Sequence, residues 1–234
     1  TEIDLKRLFD SVDIDDILKY IEYGALNQKG EKSSKSSKPR KNQKKKFFYN
    51  QITAHIFEGK IVNVKIFNNG RIQMTGIKKE SQGYETIELF IKEINKISDE
   101  NKIKIFNEFN IQQIEPIETV LINSDFDIYS EVNREMLHRL IVEHGYYSSY
   151  EPCTYPGVNI KYYYNPIKRN FGICDCEKPC NGKGKGNTCK KITIAVFKSG
   201  KIIITGGRNK QNINSAYQFI TEFINENKDK ILIK

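Results

Sequence analysis

The sequence predicts an α+β chain of two pseudo-symmetric halves, each an antiparallel sheet with a helix on one face. The first observation is an internal repeat. Lys65–Asn95 aligns without a gap on Ala195–Asn225 at a constant offset of 130, and Phe67, Gly70, Ile72, Thr75, Gly76, Ile94 and Asn95 fall on Phe197, Gly200, Ile202, Thr205, Gly206, Ile224 and Asn225. Two copies make paired half-domains, whereas a solenoid needs three or more. The second observation is a hairpin signal in each copy. A strand ends in Phe, Asn69-Gly70 or Ser199-Gly200 makes the turn, and an alternating strand follows, with Gly supplying the positive φ. Ile72 and Met74 oppose Arg71, Gln73 and Thr75; Ile202 and Ile204 oppose Lys201, Ile203 and Thr205. The third is an apolar helix face at Ile87, Phe90, Ile91 and Ile94, repeated by Ala216, Phe219, Ile220, Phe223 and Ile224.

In chain order, Ile3–Phe9 reads as the first helix and Asp13–Tyr23 as an acidic helical stretch. Lys29–Lys46 is Lys- and Ser-rich, buries nothing, and reads as a mobile loop. KPRKNQKKK within it fits a nuclear-import signal or a phosphate-binding arm as well as a solvated insertion. Phe47–Phe67 reads as two strands joined at Glu58-Gly59, and Ile103–Ile111 and Ile117–Ile128 as further strands. Asn133–Glu143 is predicted helical, with Met136, Leu137, Leu140 and Ile141 on one face, and Val158–Tyr164 is an alternating strand. The domains are therefore 1–116, with a basic insertion at 29–46, and 117–234, with a Cys-rich insertion at 171–190.

Composition excludes more than it identifies. At 234 residues the chain can bury a real core as one domain or two. No apolar run approaches the ~18 residues of a membrane span, and no signal peptide is visible. The net charge is +9, but Lys29–Lys46 holds nine basic residues against one acid, so the remainder is nearly neutral. Five cysteines, four of them clustered, suit a reducing compartment better than a disulfide framework.

That cluster is Cys174, Cys176, Cys180 and Cys189, spaced C-x-C-x3-C-x8-C among Gly182, Gly184 and Gly186. Four thiolates in sixteen residues can wrap one tetrahedral Zn²⁺, and no ligand position looks open, so the metal would be structural. The spacing is not the C-x2-C of zinc ribbons, and a hairpin with free thiols stands as the other reading. Cys153 reads as a packed thiol.

F-x-x-G-K/R-x-x-x-T-G followed by a helix, twice in one chain, resembles the TATA-box-binding protein family. SSYEPCTYPG, Ser148–Gly157, looks like that family's stirrup before the second repeat. The insertions and the Ile/Asn/Lys bias are most similar to the divergent TATA-box-binding-like proteins of large DNA viruses. The resemblance implies a saddle: each half a curved sheet of about five strands with helices on the convex face. It also implies a first strand ahead of Ile3, which is missing here; the reading favours truncation over an incomplete half.

The resemblance implies minor-groove binding, in which architectural proteins, the TATA-binding protein among them, wedge apolar side chains between base steps. Phe67 and Phe197 match one wedge position of each repeat. Tyr155 stands at the second wedge position of the second repeat, and Tyr49, or its neighbour Phe48, at that of the first. Asn123 matches the family's central Asn, Thr75 and Thr205 its paired threonines, and Ile203 its apolar contact surface. Gln73 and Lys65 stand where the family is apolar. Arg71, Lys78, Lys161, Lys201 and Arg208 match phosphate-facing positions. Glu151 matches one residue of the family's contact with transcription factor IIB, with Cys153 and Thr154 standing where the family has an acid and a leucine.

The implied function is binding to A·T-rich double-stranded DNA for transcription initiation, with a transcription factor IIB-like protein and the RNA polymerase machinery as partners, in a nucleus or cytoplasmic viral factory. The alternatives are DNA binding without TATA preference, or an interaction module that has lost DNA binding. No enzyme is expected: His55, His138 and His144 lie in unrelated contexts, and no phosphate loop or Ser/His/Asp order stands out.

Overall fold

Asp4 opens the first helix. Its carboxylate accepts the Arg7 N–H at 3.0 Å, capping α1 (Leu5–Ser11), which buries Leu5, Leu8 and Phe9. The computed structural model describes residues 2–24, 27–32, 48–101, 105, 115–165, 167, 172–174, 176, 180–184 and 188–233. The chain divides into two compact units, Thr1–Ile117 and Glu118–Lys234.

In the first unit β1 (Leu18–Tyr23), β2 (Asn27–Gly30), β3 (Gln51–Glu58), β4 (Lys60–Phe67) and β5 (Ile72–Thr75) form one antiparallel sheet, followed by α2 (Glu80–Asn101). The sheet order is β2-β1-β3-β4-β5. The second unit runs β6 (Ile122–Asp127), β7 (Glu131–Val132), α3 (Arg134–Glu143), β8 (Tyr147–Ser149), β9 (Val158–Tyr164), β10 (Lys190–Val196), β11 (Lys201–Gly207), α4 (Lys210–Glu226), α5 (Lys228–Ile231) and β12 (Leu232–Ile233). Its main sheet is ordered β6-β11-β10-β9-β8, and β12 pairs with β7.

The repeat holds down to individual hydrogen bonds. The Phe67 N–H donates to the Arg71 carbonyl at 2.9 Å and the Gly70 N–H to the Phe67 carbonyl at 3.0 Å; in the second unit Phe197, Lys201 and Gly200 do the same at 2.9 and 3.1 Å. These are three-residue hairpin loops whose glycines sit at φ 82° and 84°. At the far end of each strand the Lys78 N–H donates to Gln82 Oε1 at 3.1 Å and the Arg208 N–H to Asn212 Oδ1 at 3.0 Å. Gln82 and Asn212 thus satisfy the backbone entering α2 and α4, again 130 residues apart.

Each core lies between one sheet face and its helices. Ile192, Ile194, Val196, Ile202 and Ile204 meet Ala216, Ile220, Phe223 and Ile224 of α4 and Leu137, Leu140 and Ile141 of α3. In the first unit Ile52, Ala54, Ile56, Val62, Val64 and Ile66 meet Leu8, Phe90 and Ile94. A fully buried isoleucine contributes about 1.5–3 kcal/mol, so these strands are held by their inward residues.

Four expectations need correction. Asp13–Tyr23 is not helical: Asp15 Oδ1 accepts the Ile17 and Leu18 N–H groups at 2.8 and 2.6 Å, and β1 follows. The acids form a turn, and the β-favouring Tyr20, Ile21 and Tyr23 form the strand. Lys29–Lys46 is not wholly a solvated loop, because Lys29 lies in β2. Its ammonium donates to the Asp10 and Val12 carbonyls at 3.2 and 2.6 Å and sits 5.2 Å from the Phe9 ring centroid. The strand expected at Ile117–Ile128 begins only at Ile122. Cys153 is exposed rather than packed. Residues 33–46, and 103–111 apart from Ile105, lie outside the described residues.

Candidate nucleic-acid interface

Alternation gives each sheet a second face, opposite its helices. In the second unit the strand register lines up a row across that open face: Tyr147, Lys161, Thr193, Thr205 and Asn123. The Lys161 ammonium donates to Thr193 Oγ1 at 2.9 Å, and the Thr205 hydroxyl donates to Asn123 Oδ1. A second row runs Ser149, Asn159, Ala195, Ile203 and Asp125. Ile203 is 38% exposed, an apolar side chain presented to solvent between Ala195 and Asp125. Lys201 pairs across the strands with Asp127.

At the end of this face Tyr155 and Phe197 meet edge to face, their centroids 5.8 Å apart at 60°. Gly157 makes this possible: a Cβ there would lie 3.0 Å from the Tyr155 ring and 3.2 Å from Phe197. The stirrup carrying Tyr155 turns at Glu151, whose carbonyl accepts the Thr154 and Tyr155 N–H groups at 2.9 and 2.8 Å. Arg134 of α3 donates to the Pro156 carbonyl and its guanidinium lies 5.3 Å from the Tyr150 centroid. Glu151 itself is exposed.

The first unit keeps the same rows with different chemistry. Tyr20, His55, Asn63 and Thr75 hold the positions equivalent to Tyr147, Lys161, Thr193 and Thr205, and Glu22, Thr53, Lys65 and Gln73 form the second row. Arg71, Gln73, Thr75 and Lys78 are exposed, and Phe67 is partly so. Tyr49 is 68% exposed and packs against Gly24, where a Cβ would meet its ring at 3.1 Å. Tyr155, at 39%, is more enclosed.

The outer end of the first row is closed. Tyr20 is fully buried where Tyr147 is 60% exposed. Lys32, following β2, lies 5.4 Å from the Tyr20 centroid and bonds Glu22 Oε2 at 3.1 Å; the Tyr20 hydroxyl donates to the same oxygen at 3.0 Å. Burial and the neighbouring Glu22 carboxylate hold the Tyr20 phenol well above its ordinary value. His55 stacks on Tyr20 at 4.9 Å, and its Nδ1 is buried without a hydrogen-bond partner. Burial, with Lys32 nearby, pushes His55 down, so it is neutral where Lys161 carries charge.

The four clustered cysteines come together. Cys174 and Cys180 Sγ are 3.3 Å apart and Cys176 and Cys189 Sγ 3.5 Å, and all four Sγ atoms lie within 4.8 Å of one another. Cys189 is buried, and burial beside the other thiols pushes its pKa up to about 12. Four convergent sulfurs could hold one metal ion. Gly186 lies outside the described residues.

The sequence reading missed Thr193, Asn63, Asp125 and Lys191. Parity from Thr205 and Phe197 would have put Thr193 and Lys191 on the open face. Asp125 needed the pairing of β6 with β11, which no local pattern announces.

Residues 132–227 match the family model described as transcription factor TFIID, or TATA-binding protein. The second unit carries a TATA-binding-protein domain. Over 204 residues the chain is 30% identical to a TATA-box-binding protein-like protein of Acanthamoeba polyphaga mimivirus, covering 80% of this chain and 51% of that one. It is 29% identical over 155 residues to a TATA-box-binding protein of Tetrahymena thermophila, covering 66% and 47%. The chain thus spans about half the length of these curated relatives. A solved structure, Methanococcus jannaschii TBP, overlaps 96% of this chain and 90% of its own at 20% identity, with a TM-score of 0.49. The TATA-binding-protein family is one of transcription factors, in keeping with the expectation of a non-enzyme. Among the described residues no helix is long and apolar enough to cross a membrane.

Proposed function

We propose that the chain is a TATA-box-binding-like transcription initiation factor whose open sheet faces bind A·T-rich double-stranded DNA in the minor groove and bend it. The observation that carries this reading is the Tyr155–Phe197 ring pair, set against Gly157 at the end of a face that carries Thr205, Asn123 and the exposed Ile203. Aromatic edges at a sheet end suit wedging between base steps. Amide and hydroxyl groups suit the minor groove, where A·T pairs present only acceptors and G·C adds a donor. Arg71, Lys78, Lys161, Lys201 and Arg208 supply charge for phosphates. Mobility shifts with A·T-rich and G·C-rich duplexes over a salt series test it. Tighter binding to the A·T-rich duplex, with a salt-dependent affinity, is expected; failure to bind either duplex overturns the proposal.

A second reading, DNA binding without TATA preference, is favoured by Lys65 and Gln73. They form a cross-strand pair on the first unit's open face, and polar groups there weaken an apolar contact with the groove. Equal affinity for both duplexes would select it.

The same reading assigns the exposed Glu151 to a transcription factor IIB-like partner and, through it, to the RNA polymerase machinery, in a nucleus or viral factory. Loss of capture by such a partner on Glu151→Arg, with DNA binding retained, is the expected result.

For the cysteines we propose one structural Zn²⁺. A tetrahedral site with Zn–S of about 2.3 Å separates its sulfurs by about 3.8 Å, within the spread seen here. Binding must deprotonate the buried Cys189, so metal binding releases protons and weakens as the pH falls. Elemental analysis of protein purified without chelator should find about one zinc per chain, lost in Cys176→Ser/Cys180→Ser with the main thermal transition kept. Metal-free wild-type protein overturns it.

A further inference from the structure

Within the Cys-rich insertion, Gly182–Gly184 pairs back on Cys189–Lys191 at the start of β10, on the side away from β9. The Lys191 N–H donates to the Gly182 carbonyl at 2.8 Å and the Gly184 N–H to the Cys189 carbonyl at 3.0 Å, and Lys183 bridges Lys190. Gly182 lets the returning chain lie on Lys191, because a Cβ there would come within 2.4 Å of the Lys191 Cβ. Packing this close fixes where the lysines stand. Lys191 is on the open face, in register with Tyr163 and near enough to Lys161 to help depress its pKa alongside burial. Lys183 and Lys190 stand on the other side of the same hairpin, with Arg208 beside Lys190. Lys183, Lys191 and Arg208 are exposed. Among the described residues none of these five cations pairs with a carboxylate. Seven residues of strand at ~3.3 Å each set the hairpin about 20 Å from Phe197, at the opposite end of β10.

Lys191 with Lys161 on one side of the hairpin, and Lys183 and Lys190 with Arg208 on the other, gather positive charge that a polyanion would offset. We propose that the Cys-rich hairpin is a second phosphate-binding surface that grips duplex DNA flanking the segment contacted by the sheet, through Lys183, Lys190 and Lys191. This rests on the DNA-binding reading above and extends the contacted length. A phosphate backbone fits better than an acidic protein segment, because Lys191 stands beside Lys161 on the face already assigned to DNA, with Lys183 and Lys190 on the other side of the same hairpin. Duplex DNA also carries one charge per ~1.7 Å of axis, dense enough to meet several of them.

The experiment uses the whole chain on two duplexes sharing one A·T-rich core, one ending at the core and one extended by about ten base pairs, roughly one helical turn, on each side. Wild-type protein should bind the extended duplex more tightly, with a salt slope steeper by about 0.9 for each added phosphate contact. It should also protect flanking sugars from hydroxyl radicals. Lys183→Gln/Lys190→Gln should lose about two such units of slope and the flanking protection, while binding the short duplex as wild type does. The single variant Lys191→Arg should keep both. Equal slopes and equal footprints for wild type and the double variant on the extended duplex overturn the hairpin grip alone. So does equal weakening on both duplexes, which would put these lysines on the core contact. Strong binding to an acidic peptide with no flanking protection overturns it in favour of a protein partner. No binding by wild type to either duplex overturns the DNA-binding reading and this one together.

Discussion

Lys65 and Gln73 face each other across β4 and β5 at the positions that Ala195 and Ile203 hold across β10 and β11. Both departures from an apolar surface thus fall on one cross-strand pair, and the change is confined to one site in the first unit. Lys65→Ala/Gln73→Ile should therefore act as a single replacement. Preference for A·T-rich over G·C-rich duplex is expected to rise about three-fold, ~0.65 kcal/mol, while the salt slope falls by about 0.9 for the lost charge. Competition binding at fixed salt reads the first and a salt titration the second; an unchanged preference would remove this pair from the contact.

Gly157 sets the spacing of Tyr155 and Phe197. Gly157→Ala pushes a methyl group into both rings, and overpacking of this kind costs about 1–3 kcal/mol. Bending, measured by fluorescence transfer between duplex ends, should fall as it does for Phe197→Ala. Phe67→Ala tests the other repeat. If bending is unchanged in all three, the aromatic ends are not wedges.

Asp125 lies exposed on the open face beside Ile203. A carboxylate there repels phosphates. Asp125→Asn should tighten DNA binding by about three- to ten-fold, ~0.6–1.4 kcal/mol, mainly at low salt. Weaker binding would mean that the carboxylate accepts a bond from a base or partner.

His55 makes the first unit sensitive to acid. Burial first, and Lys32 second, hold it below the ordinary value of about 6.5, with Glu22 opposing them. The unfolded chain therefore takes up the proton first. This stability is fully present above about pH 6.5 and is lost as pH falls through the folded value. His55→Phe, which keeps the stack on Tyr20, should narrow the drop in melting temperature between about pH 8 and pH 5. A drop as large as that of wild type would acquit His55.

The repeat, its turns and its helix faces were legible because each rests on spacing within about thirty residues. Gly70 and Gly200 announce themselves by position, as do the buried runs from Ile87 and Ala216. The errors came where neighbours in space outvoted neighbours in sequence. Asp13, Asp15 and Asp16 mimic a helix surface until Asp15 is seen closing a turn. Lys29 reads as solvated until Asp10, Val12 and Phe9 gather around it. The open-face rows were half legible: parity within a strand gave Thr205 and Ile203, but only pairing with β6 brings in Asp125. For the cysteines, spacing suggested convergence without fixing it, since C-x-C-x3-C-x8-C wraps an ion only if the glycines fold the hairpin back.

β2 is one of the two outer strands of the first sheet, and its far side offers a row of backbone donors and acceptors to any chain that approaches. Such edges seed self-association unless something spoils them. Here the strand is four residues long, reads Asn-Gln-Lys-Gly, and is followed directly in sequence by the lysine-rich run to Lys46. Two copies meeting edge to edge would have to crowd like charges together. That guard works only while the charges are felt, over a distance of about 8 Å at physiological ionic strength and about 3 Å at 1 M. On this account low salt should keep copies apart, and concentrated salt or removal of the run should open the edge to its own kind.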